Sequence, residues 1–389
     1  MNQDKQEFVP AETDWEAIRQ WITRGDRPYL LWRRPGSGVC HCGRGTESGL
    51  EVCRDLSDLN GKKGVVFAPF FCTEEVPALV WQPVEEFNLK VPCSEELLQE
   101  DRLRLKFQTE NPMPDEPYAT CFDAFSEALR AGAFRKLVLA RSVCVPRESG
   151  FDLLEAFQAA CRRFVYSCVY LYYTPQTGVW IGCTPEILLA GRAHQYMTVA
   201  LAGTQPLPFE AADQTAEAAR MLAELSWDAK NRREQQYVTD YISNCLHRLG
   251  LETQEKGPFT VRAGALAHLK TEIRFELSDA GRTGDLLRAL HPTPAVCGLP
   301  KMEATRFIRE HETMPRGYYS GFTGWLDPQG ETELYVNLRS MQVTDEAFVL
   351  YAGGGILDTS SVQDEWLETE RKMGTMRAVI AQGYRKEFE

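Results

Sequence analysis

The order of strand-like and helix-like segments constrains the fold of this chain more than any other sequence feature. Beyond residue 118, strand-like segments come in consecutive groups and long helical segments separate the groups. Neighbouring strands joined by short turns pair antiparallel, so this order favours an α+β fold over alternating βαβ units. The helical pattern is clearest over residues 216–251, where apolar side chains recur at i, i+3, i+4 and i+7, and one long helix is predicted there.

The remaining elements follow from periodicity and from cap signals. We predict helices over residues 119–132, 151–164 and 361–382, and strands over 136–145, 168–173, 178–183, 321–326, 333–341 and 347–352. Ser361 with Asp364 three residues later is a suitable N-cap for the last helix. A charged run over residues 95–106 predicts a helical connector between a smaller N-terminal portion and the main body.

Bulk properties exclude several classes of protein. The 389 residues carry a net charge of −12, which disfavours binding to nucleic acid or to anionic membranes. The first 14 residues lack the apolar core of a signal peptide, and no apolar run approaches the roughly 20 residues of a membrane span. We therefore expect a cytoplasmic protein with no nucleic-acid or membrane partner. The cysteines give no signal of assembly, which favours a monomer.

The twelve cysteines are scattered through apolar contexts, which indicates buried free thiols and no disulfide framework. Cys40, His41, Cys42 and Cys53 could in principle bind zinc. A single Cys-x-Cys without a second pair at finger-like spacing is a weak signal, however. The alternative is a glycine-rich surface loop that carries thiols.

Charged residues lie on faces that should be apolar. Glu234 shares the inward stripe of its helix with Val238, and in the last helix Glu365 and Lys372 fall within the core stripe while Glu368 lies at its edge. Buried carboxylates need a compensating cation, and a hard divalent ion is one candidate. An internal salt bridge, or a wrongly assigned helix face, is the alternative.

Two further segments have the composition of binding sites. Gly353, Gly354 and Gly355 are predicted to form a turn between a strand and a helix, where backbone N–H groups can approach an anion. The segment 290–301 places His291 and Thr293 in a rigid loop rich in proline, and such loops often carry function. Each signal is weak by itself.

At this point the chain resembles the chorismate-binding enzymes, a family that includes anthranilate, aminodeoxychorismate, salicylate and isochorismate synthases. The resemblance covers about residues 120–382, and several motifs occur in the family's order. These motifs are KLVLAR from Lys136, TPE from Thr184, AGT from Ala202, KNRRE from Lys230, HPTPA from His291, GLP from Gly298, GFTGW from Gly321, GGG from Gly353 and EWLET from Glu365.

The resemblance implies one large α+β domain in four layers (α/β/β/α), with two large, mostly antiparallel sheets packed together and flanked by helices. Residues 1–115 would form the N-terminal portion of this fold, without an assignable motif. Residues 116–389 would form the chorismate-binding catalytic region. Within the family, Lys136 resembles the isochorismate and salicylate synthases, and the segment Thr293-Pro294-Ala295 resembles the isochorismate synthases. Lys301 instead resembles the amine-transferring members.

The implied activity is a magnesium-dependent isomerase that adds water at C2 of chorismate and expels the C4 hydroxyl. Lys136 would be the general base and Glu186 the general acid. A lysine is a base at neutral pH only if its surroundings lower its pKa from about 10.4, and an arbitrary strand lysine is more often exposed. Apolar neighbours such as Ile181 and Ile187 would keep Glu186 protonated.

The resemblance also implies the binding sites. Glu234 and Glu368 would bind Mg²⁺ directly, and Glu365 through water, as would the position held by Asn231, where most relatives have an acid. The remaining implied contacts are to the substrate: Gly203, Thr204, His291, Thr293, Ala295, Arg339, Gly353, Gly354, Gly355 and Lys372. Salicylate synthase is an alternative activity. An anthranilate or aminodeoxychorismate synthase and a non-catalytic chorismate-binding protein are less favoured, and the pathway served, menaquinone or siderophore synthesis, stays open.

Overall fold

Two antiparallel sheets of nine strands each form the centre of the structure, a computed structural model that describes residues 12–91, 113–207, 216–263 and 266–384. The predicted connector over residues 95–106 lies outside these ranges.

The first sheet has the strand order β14-β7-β18-β17-β9-β8-β1-β2-β6. Its strands are β1 (Tyr29–Arg33), β2 (Val39–Arg44), β6 (Glu85–Lys90), β7 (Lys136–Pro146), β8 (Cys168–Thr174), β9 (Gly178–Thr184), β14 (Gly298–Leu299), β17 (Ser340–Val343) and β18 (Ala347–Ile356).

The second sheet has the order β12-β13-β11-β10-β16-β15-β4-β5-β3. Its strands are β3 (Glu51–Cys53), β4 (Gly64–Ala68), β5 (Ala78–Trp81), β10 (Ile187–Arg192), β11 (Gln195–Pro206), β12 (Thr253–Ala263), β13 (Leu266–Glu276), β15 (Phe322–Leu326) and β16 (Glu331–Val336).

The α-helices of the described residues flank the sheets. They are α1 (Glu12–Arg24), α2 (Glu116–Arg130), α3 (Leu153–Arg163), α4 (Ala216–Ala223), α5 (Ala229–Arg248), α6 (Thr283–Leu290), α7 (Lys301–His311) and α8 (Val362–Gly383). Within the described ranges, no helix combines the length and the hydrophobicity that a membrane crossing needs.

Aromatic side chains fill the space between the sheets. Phe67 of β4 stacks on Tyr172 of β8 with ring centroids 4.1 Å apart, and Trp180 of β9 belongs to the same cluster. A second cluster packs α1, α3 and α8 on the outer face of the first sheet, and a third packs α5 and α6 on the second. Burial on both faces of each sheet gives the expected four-layer α+β fold.

The N-terminal strands belong to the same sheets as the later strands. β1 pairs with β8 over Tyr29–Arg33, and β4 pairs with β15 over Gly64–Ala68. Neither sheet is therefore complete without strands that precede residue 92.

The predicted single helix over residues 216–251 is wrong, because the structure has two helices there. α4 ends at Ala223, and α5 begins after Asp228, whose side chain caps it by accepting a hydrogen bond from the Asn231 N–H. Trp227 is buried in the break and donates its indole N–H to Thr260. The inward position of Glu234 is confirmed, since this side chain is buried.

The predicted strand over residues 333–341 is also interrupted. β16 ends at Val336 and β17 starts at Ser340, and Arg339 between them has a left-handed backbone with φ of 49°. The buried amide of Asn337 holds this turn, because it accepts a hydrogen bond from the Tyr170 hydroxyl and donates one to the Tyr318 carbonyl. A non-glycine residue at positive φ is uncommon and costs energy, so it is held there by its surroundings.

Two predicted loops are strands. Gly353, Gly354 and Gly355 continue β18 and pair with Ala140, Leu139 and Val138 of β7, so the predicted turn is wrong. The supposed surface loop around Cys40 and Cys42 is strand β2, and both thiols are buried with their sulfur atoms 3.7 Å apart. Cys53 belongs to the other sheet, and no zinc-binding cluster occurs among the described residues.

The last helix agrees with its prediction. α8 begins at Val362, and the Ser361 side chain caps it by accepting a hydrogen bond from the Asp364 N–H. Glu365 is buried at 1% exposure, while Lys372 and Glu368 are partly exposed.

Candidate active site

A cavity opens where the ends of β7, β9, β11 and β18 meet helices α5 and α8. Both polar and apolar side chains form its wall. The lining residues are Val138, Pro185, Glu186, Leu201, Ala202, Gly203, Thr204, Glu234, His268, Ala295, Val296, Tyr319, Ser320, Leu338, Arg339, Tyr351, Ala352, Gly353, Gly355 and Lys372.

Lys136, at the start of β7, lies directly behind this wall. Its side chain is fully buried, and its Nζ atom lies 2.9 Å from Oε1 of Glu234 on α5. Burial by itself would raise the pKa of Glu234, but the charge of Lys136 outweighs it and holds this pKa below its ordinary value. The predicted burial of Lys136 is confirmed, and the predicted inward carboxylate is its partner.

Glu186 follows the Thr184-Pro185 turn at the end of β9, and it projects into the cavity. Its carboxyl is completely buried, and its Oε1 atom has no hydrogen-bond partner. Burial raises the pKa of Glu186 to about 8, against the opposing charges of Lys136 and Lys372. A carboxyl group with this pKa is mostly protonated at neutral pH and can donate a proton.

Arg339 and His268 form a second buried pair. The Nη2 atom of Arg339 lies 3.1 Å from Nε2 of His268, and the Nδ1 atom of His268 lies 3.0 Å from the Gly203 carbonyl oxygen. Burial, with the charges of Arg339 and Lys372, lowers the pKa of His268 well below its ordinary value. The imidazole is therefore neutral, donating from Nδ1 to Gly203 and accepting from Arg339 at Nε2.

Lysines neutralise Glu365 and Glu368, the two carboxylates of α8 that are candidate metal ligands. Lys230 donates to Oε1 of Glu365 at 2.5 Å, and Lys372 donates to Oε1 of Glu368 at 2.6 Å. Burial raises the pKa of Glu365 to about 7, with a further contribution from Glu368 and an opposing one from Lys230. Together with Glu234, which pairs with Lys136, the candidate metal ligands are thus three carboxylates, and each forms an ion pair with a different lysine.

Two glycines of β18 make room for these carboxylates. A Cβ atom at Gly355 would lie 2.2 Å from Oε1 of Glu234, and one at Gly354 would lie 3.0 Å from Oε2 of Glu365. Only glycine therefore allows both helices to approach the strand so closely. This close approach, and no turn, explains Gly354 and Gly355, whereas a Cβ atom at Gly353 would meet Leu139 and Val138 of β7 at 3.3 Å.

These residues fit a magnesium ion. Magnesium takes oxygen ligands, above all carboxylates, and the buried Oε2 atom of Glu365 has no hydrogen-bond partner. Within the described part of the chain, no three acidic, histidine or cysteine side chains already surround a common point. An ion would thus have to displace lysines from Glu234, Glu365 and Glu368.

Asn231 points toward an irregularity within β11, where the pairing register with β13 shifts between Ala202 and Thr204. Its Oδ1 atom accepts a hydrogen bond of 2.9 Å from the Thr204 N–H, and its Nδ2 atom donates to Asp228. Gly203 at the shift has a φ of 70°, and a Cβ atom there would lie 3.2 Å from Asn231. Asn231 thus supports the bulge at Gly203.

The loop over residues 291–300 reaches the cavity only with its middle residues. Ala295 and Val296 line the wall, whereas the buried rings and hydroxyls of His291 and Thr293 do not. The His291 Nε2 atom lies 3.0 Å from the Pro69 carbonyl oxygen, and burial lowers the pKa of its ring to about 3. Lys301 donates to the carbonyls of Arg288, Ala289 and His291, so it caps helix α6 and lies outside the cavity wall.

Sequence reasoning missed several residues of the wall, namely Leu201, His268, Tyr319, Ser320 and Tyr351. His268 lies on β13, a strand that the periodicity did not reveal. Ser320 has a φ of 61°, and together with Arg339 it gives the cavity two non-glycine residues of left-handed backbone. Clustering of such strained residues is typical of functional sites.

The family model described as "Chorismate binding enzyme" matches residues 68–381. The salicylate biosynthesis isochorismate synthase of Pseudomonas aeruginosa is 36% identical over 263 residues, which are 67% of this chain and 53% of that protein. The isochorismate synthase DhbC of Bacillus subtilis is 36% identical over 275 residues, which are 68% of each chain. The chain thus spans about half the length of the first relative and about two thirds of the second.

The fold also matches a solved structure. A Bacillus anthracis protein assigned as the 2,3-dihydroxybenzoate-specific isochorismate synthase DhbC superimposes with a TM-score of 0.75 and 22% identity. The match covers 94% of this chain and 99% of the other.

Proposed function

This chain belongs to the family of chorismate-binding enzymes, and we propose that it is an isochorismate synthase, an isomerase that interconverts chorismate and isochorismate. The observation that carries the proposal is that a fully buried Lys136 lies behind the wall of the cavity that the buried carboxyl of Glu186 lines, with the pKa of that carboxyl raised to about 8. Addition of water and loss of a hydroxyl need one group that accepts a proton and another that donates one.

In the proposed reaction, Lys136 first loses to solvent the proton that it holds in its pair with Glu234. Its neutral amine then accepts a proton from the water molecule whose oxygen forms a bond to C2 of the ring. The ring double bond shifts, the C4–O bond breaks, and Glu186 donates its proton to the departing oxygen, which leaves as water. One water enters and one leaves, so the substrate and the product are isomers. The reverse reaction uses the same two groups with exchanged roles.

Binding of the substrate rests on its two carboxylates. Arg339 lines the cavity, and burial lowers its pKa to about 10, so it remains charged at neutral pH. Its guanidinium can bind a carboxylate with two parallel hydrogen bonds. Lys372 supplies a second cation, and Gly203 and Thr204 of β11 line the same cavity.

We further propose that Mg²⁺ is the cofactor, with Glu234 and Glu368 as direct ligands and Glu365 acting through water. When bound, the ion would neutralise and orient the carboxylate of the ring. Without an ion, the three glutamates are already matched by Lys136, Lys230 and Lys372, which are the internal salt bridges that the sequence left as the alternative to a cation. Support for the ion comes from the charge of the substrate. A dianion that enters this balanced site needs two compensating positive charges, of which Arg339 supplies one.

The test is an incubation of the purified protein with chorismate and Mg²⁺, followed by chromatographic separation of the products. We expect isochorismate to accumulate to an equilibrium ratio that is the same from either direction. Release of pyruvate with fluorescent salicylate would contradict the proposal and identify a salicylate synthase. Formation of an aromatic amine from ammonia would identify an amine-transferring member instead.

A further inference from the structure

The outer edge of β7 is completed by two side chains. β14 pairs with β7 only at Lys136 and Leu137, and just beyond it the Val138 N–H donates to the Cys297 carbonyl at 2.7 Å. After that point, no strand among the described residues covers this edge of β7. Arg316 Nη2 donates to the Val138 carbonyl at 2.8 Å instead.

The carboxylate of Glu312 continues the same edge. Its Oε1 atom accepts a hydrogen bond of 2.7 Å from the Ala140 N–H. Glu312 also pairs with Arg316, at 2.5 Å from Nη2 to Oε1 and 2.8 Å from Nε to Oε2. Both side chains are 2% exposed, so the pair is an ion pair of the interior.

The guanidinium of Arg316 also holds the loop that lines the cavity. Its Nη1 atom donates to the Val296 carbonyl at 2.6 Å, and its plane lies over the ring of Phe70 at 4.4 Å. Val138 and Val296 are both part of the cavity wall. One planar group therefore connects the strand that carries Lys136 to the loop that carries Ala295.

A buried ion pair is a poor way to gain stability, since the loss of hydration offsets most of the attraction. This pair makes directional bonds to three backbone groups of two segments, which a hydrophobic pair of equal volume could not make. The planar fork of an arginine fixes the distance between those segments, whereas a lysine offers a single nitrogen. The arrangement is therefore suited to keeping β7 and the loop at Val296 at a fixed distance from each other.

We propose that Arg316 and Glu312 are positioning residues of the reaction, which set the base Lys136 at its working distance from the loop wall. This inference rests on the proposed function. Neither residue touches the cavity, so each acts through the backbone of β7 and of the loop. A displacement of about 1 Å between reacting groups can lower a rate about a hundredfold.

The test compares Arg316→Lys with the wild-type protein. The lysine keeps the charge that Glu312 needs but cannot hold Val138 and Val296 together. We expect kcat for chorismate to fall about a hundredfold while KM changes less than about threefold and the protein stays folded at the assay temperature. The matched control is Arg282→Lys, since Arg282 forms an exposed pair with Asp285, and its kcat should equal that of the wild type.

Each outcome decides the proposal. An Arg316→Lys protein with wild-type kcat, or one whose kcat falls only in proportion to its unfolded fraction, would show a merely structural role. If Arg316→Lys does not fold, the double variant Arg316→Gln with Glu312→Gln, which has no unpaired charge, should show the same loss of kcat at a nearly constant KM. If the wild-type protein does not turn over chorismate, the proposed function is overturned as well. This failure is distinct from a failure of the positioning proposal, because the wild type is assayed before any variant.

Discussion

The Nζ atom of Lys136 lies 2.9 Å from Oε1 of Glu234, so the proposed base and a proposed metal ligand form one buried ion pair. The pair links the start of β7 to helix α5 across the cavity wall. Removing either partner leaves the other as an uncompensated charge in the interior.

Replacing Lys136 with alanine should slow turnover strongly and also lower stability. We expect kcat to fall by about 10²–10⁴, the contribution of a general base. In excess chelator the melting temperature should also fall, because Glu234 loses its counter-charge, and added Mg²⁺ should restore part of it. Lys62→Ala, which removes an exposed partner of Glu51, is the control and should change neither quantity. Wild-type turnover by Lys136→Ala would refute the base.

Activity should fall at alkaline pH because Glu186 must be protonated. With a pKa of about 8, its donor form is lost above that value, so kcat should fall about tenfold per pH unit there. Because the pKa of Glu186 is higher in the folded state, the folded protein holds this proton more tightly than the unfolded chain does. The resulting contribution to the free energy of unfolding is complete below pH 4.5, the pKa of the unfolded chain. It is lost as the pH rises through 8. In Glu186→Gln, this loss of stability between pH 4.5 and 8 should disappear, as measured by denaturation at several pH values.

Removal of Lys230 should strengthen metal binding. Lys230 competes for Glu365, one of the proposed ligands, so Lys230→Ala should lower the Kd of Mg²⁺ by about three- to tenfold in calorimetry without substrate. Glu368→Gln should raise the same constant. If neither variant changes Mg²⁺ affinity, the ion does not bind at these carboxylates.

His268 should act on substrate binding through Arg339. His268→Leu removes the acceptor at Nε2 and the donor to the Gly203 carbonyl, so we expect KM to rise about tenfold with a smaller change in kcat. Because the wild-type imidazole is neutral, KM should show no inflection near pH 6.5. His247→Gln is the control, since His247 is an exposed residue of α5. A kcat effect with an unchanged KM would contradict this role.

Gly355→Ala tests the space that Glu234 needs. The new Cβ atom would lie 2.2 Å from Oε1 of Glu234, so we expect loss of activity and of Mg²⁺ binding. Gly374→Ala is the matched control, because a Cβ atom there meets nothing within 4 Å and the residue is in the interior of α8. That control should raise the free energy of unfolding by about 0.5–1 kcal/mol. Activity of Gly355→Ala equal to the wild type would show that Glu234 can move without consequence.

Local sequence patterns predicted the elements but not the interruptions that shape the site. Periodicity identified Glu234 and Glu365 as buried carboxylates, because helix spacing alone determines which face a residue occupies. It did not reveal the break at Asp228 or the left-handed Arg339, which depend on a cap and on buried bonds to Asn337.

Patterns among neighbouring residues in the sequence could not predict contacts between distant segments. The three glycines of β18 were predicted to form a turn, because the group that approaches Gly355, Glu234 of α5, is more than one hundred residues away in sequence. His268 was missed for the same reason, since its importance comes from Arg339 and Gly203. Family motifs supplied the reaction and the substrate, which no periodicity contains.

The pairing of β7 with β18 also has a consequence for synthesis of the chain on the ribosome. Val138 and its partner Gly355 are 217 residues apart in sequence. At ordinary elongation rates, β18 is therefore synthesised roughly 10–40 s after β7. Until then one whole edge of β7 is unpaired, and the growing chain exposes apolar strands that can associate with others. Catalytic competence is therefore gained in a single late step of translation, when β18 and α8 leave the ribosome.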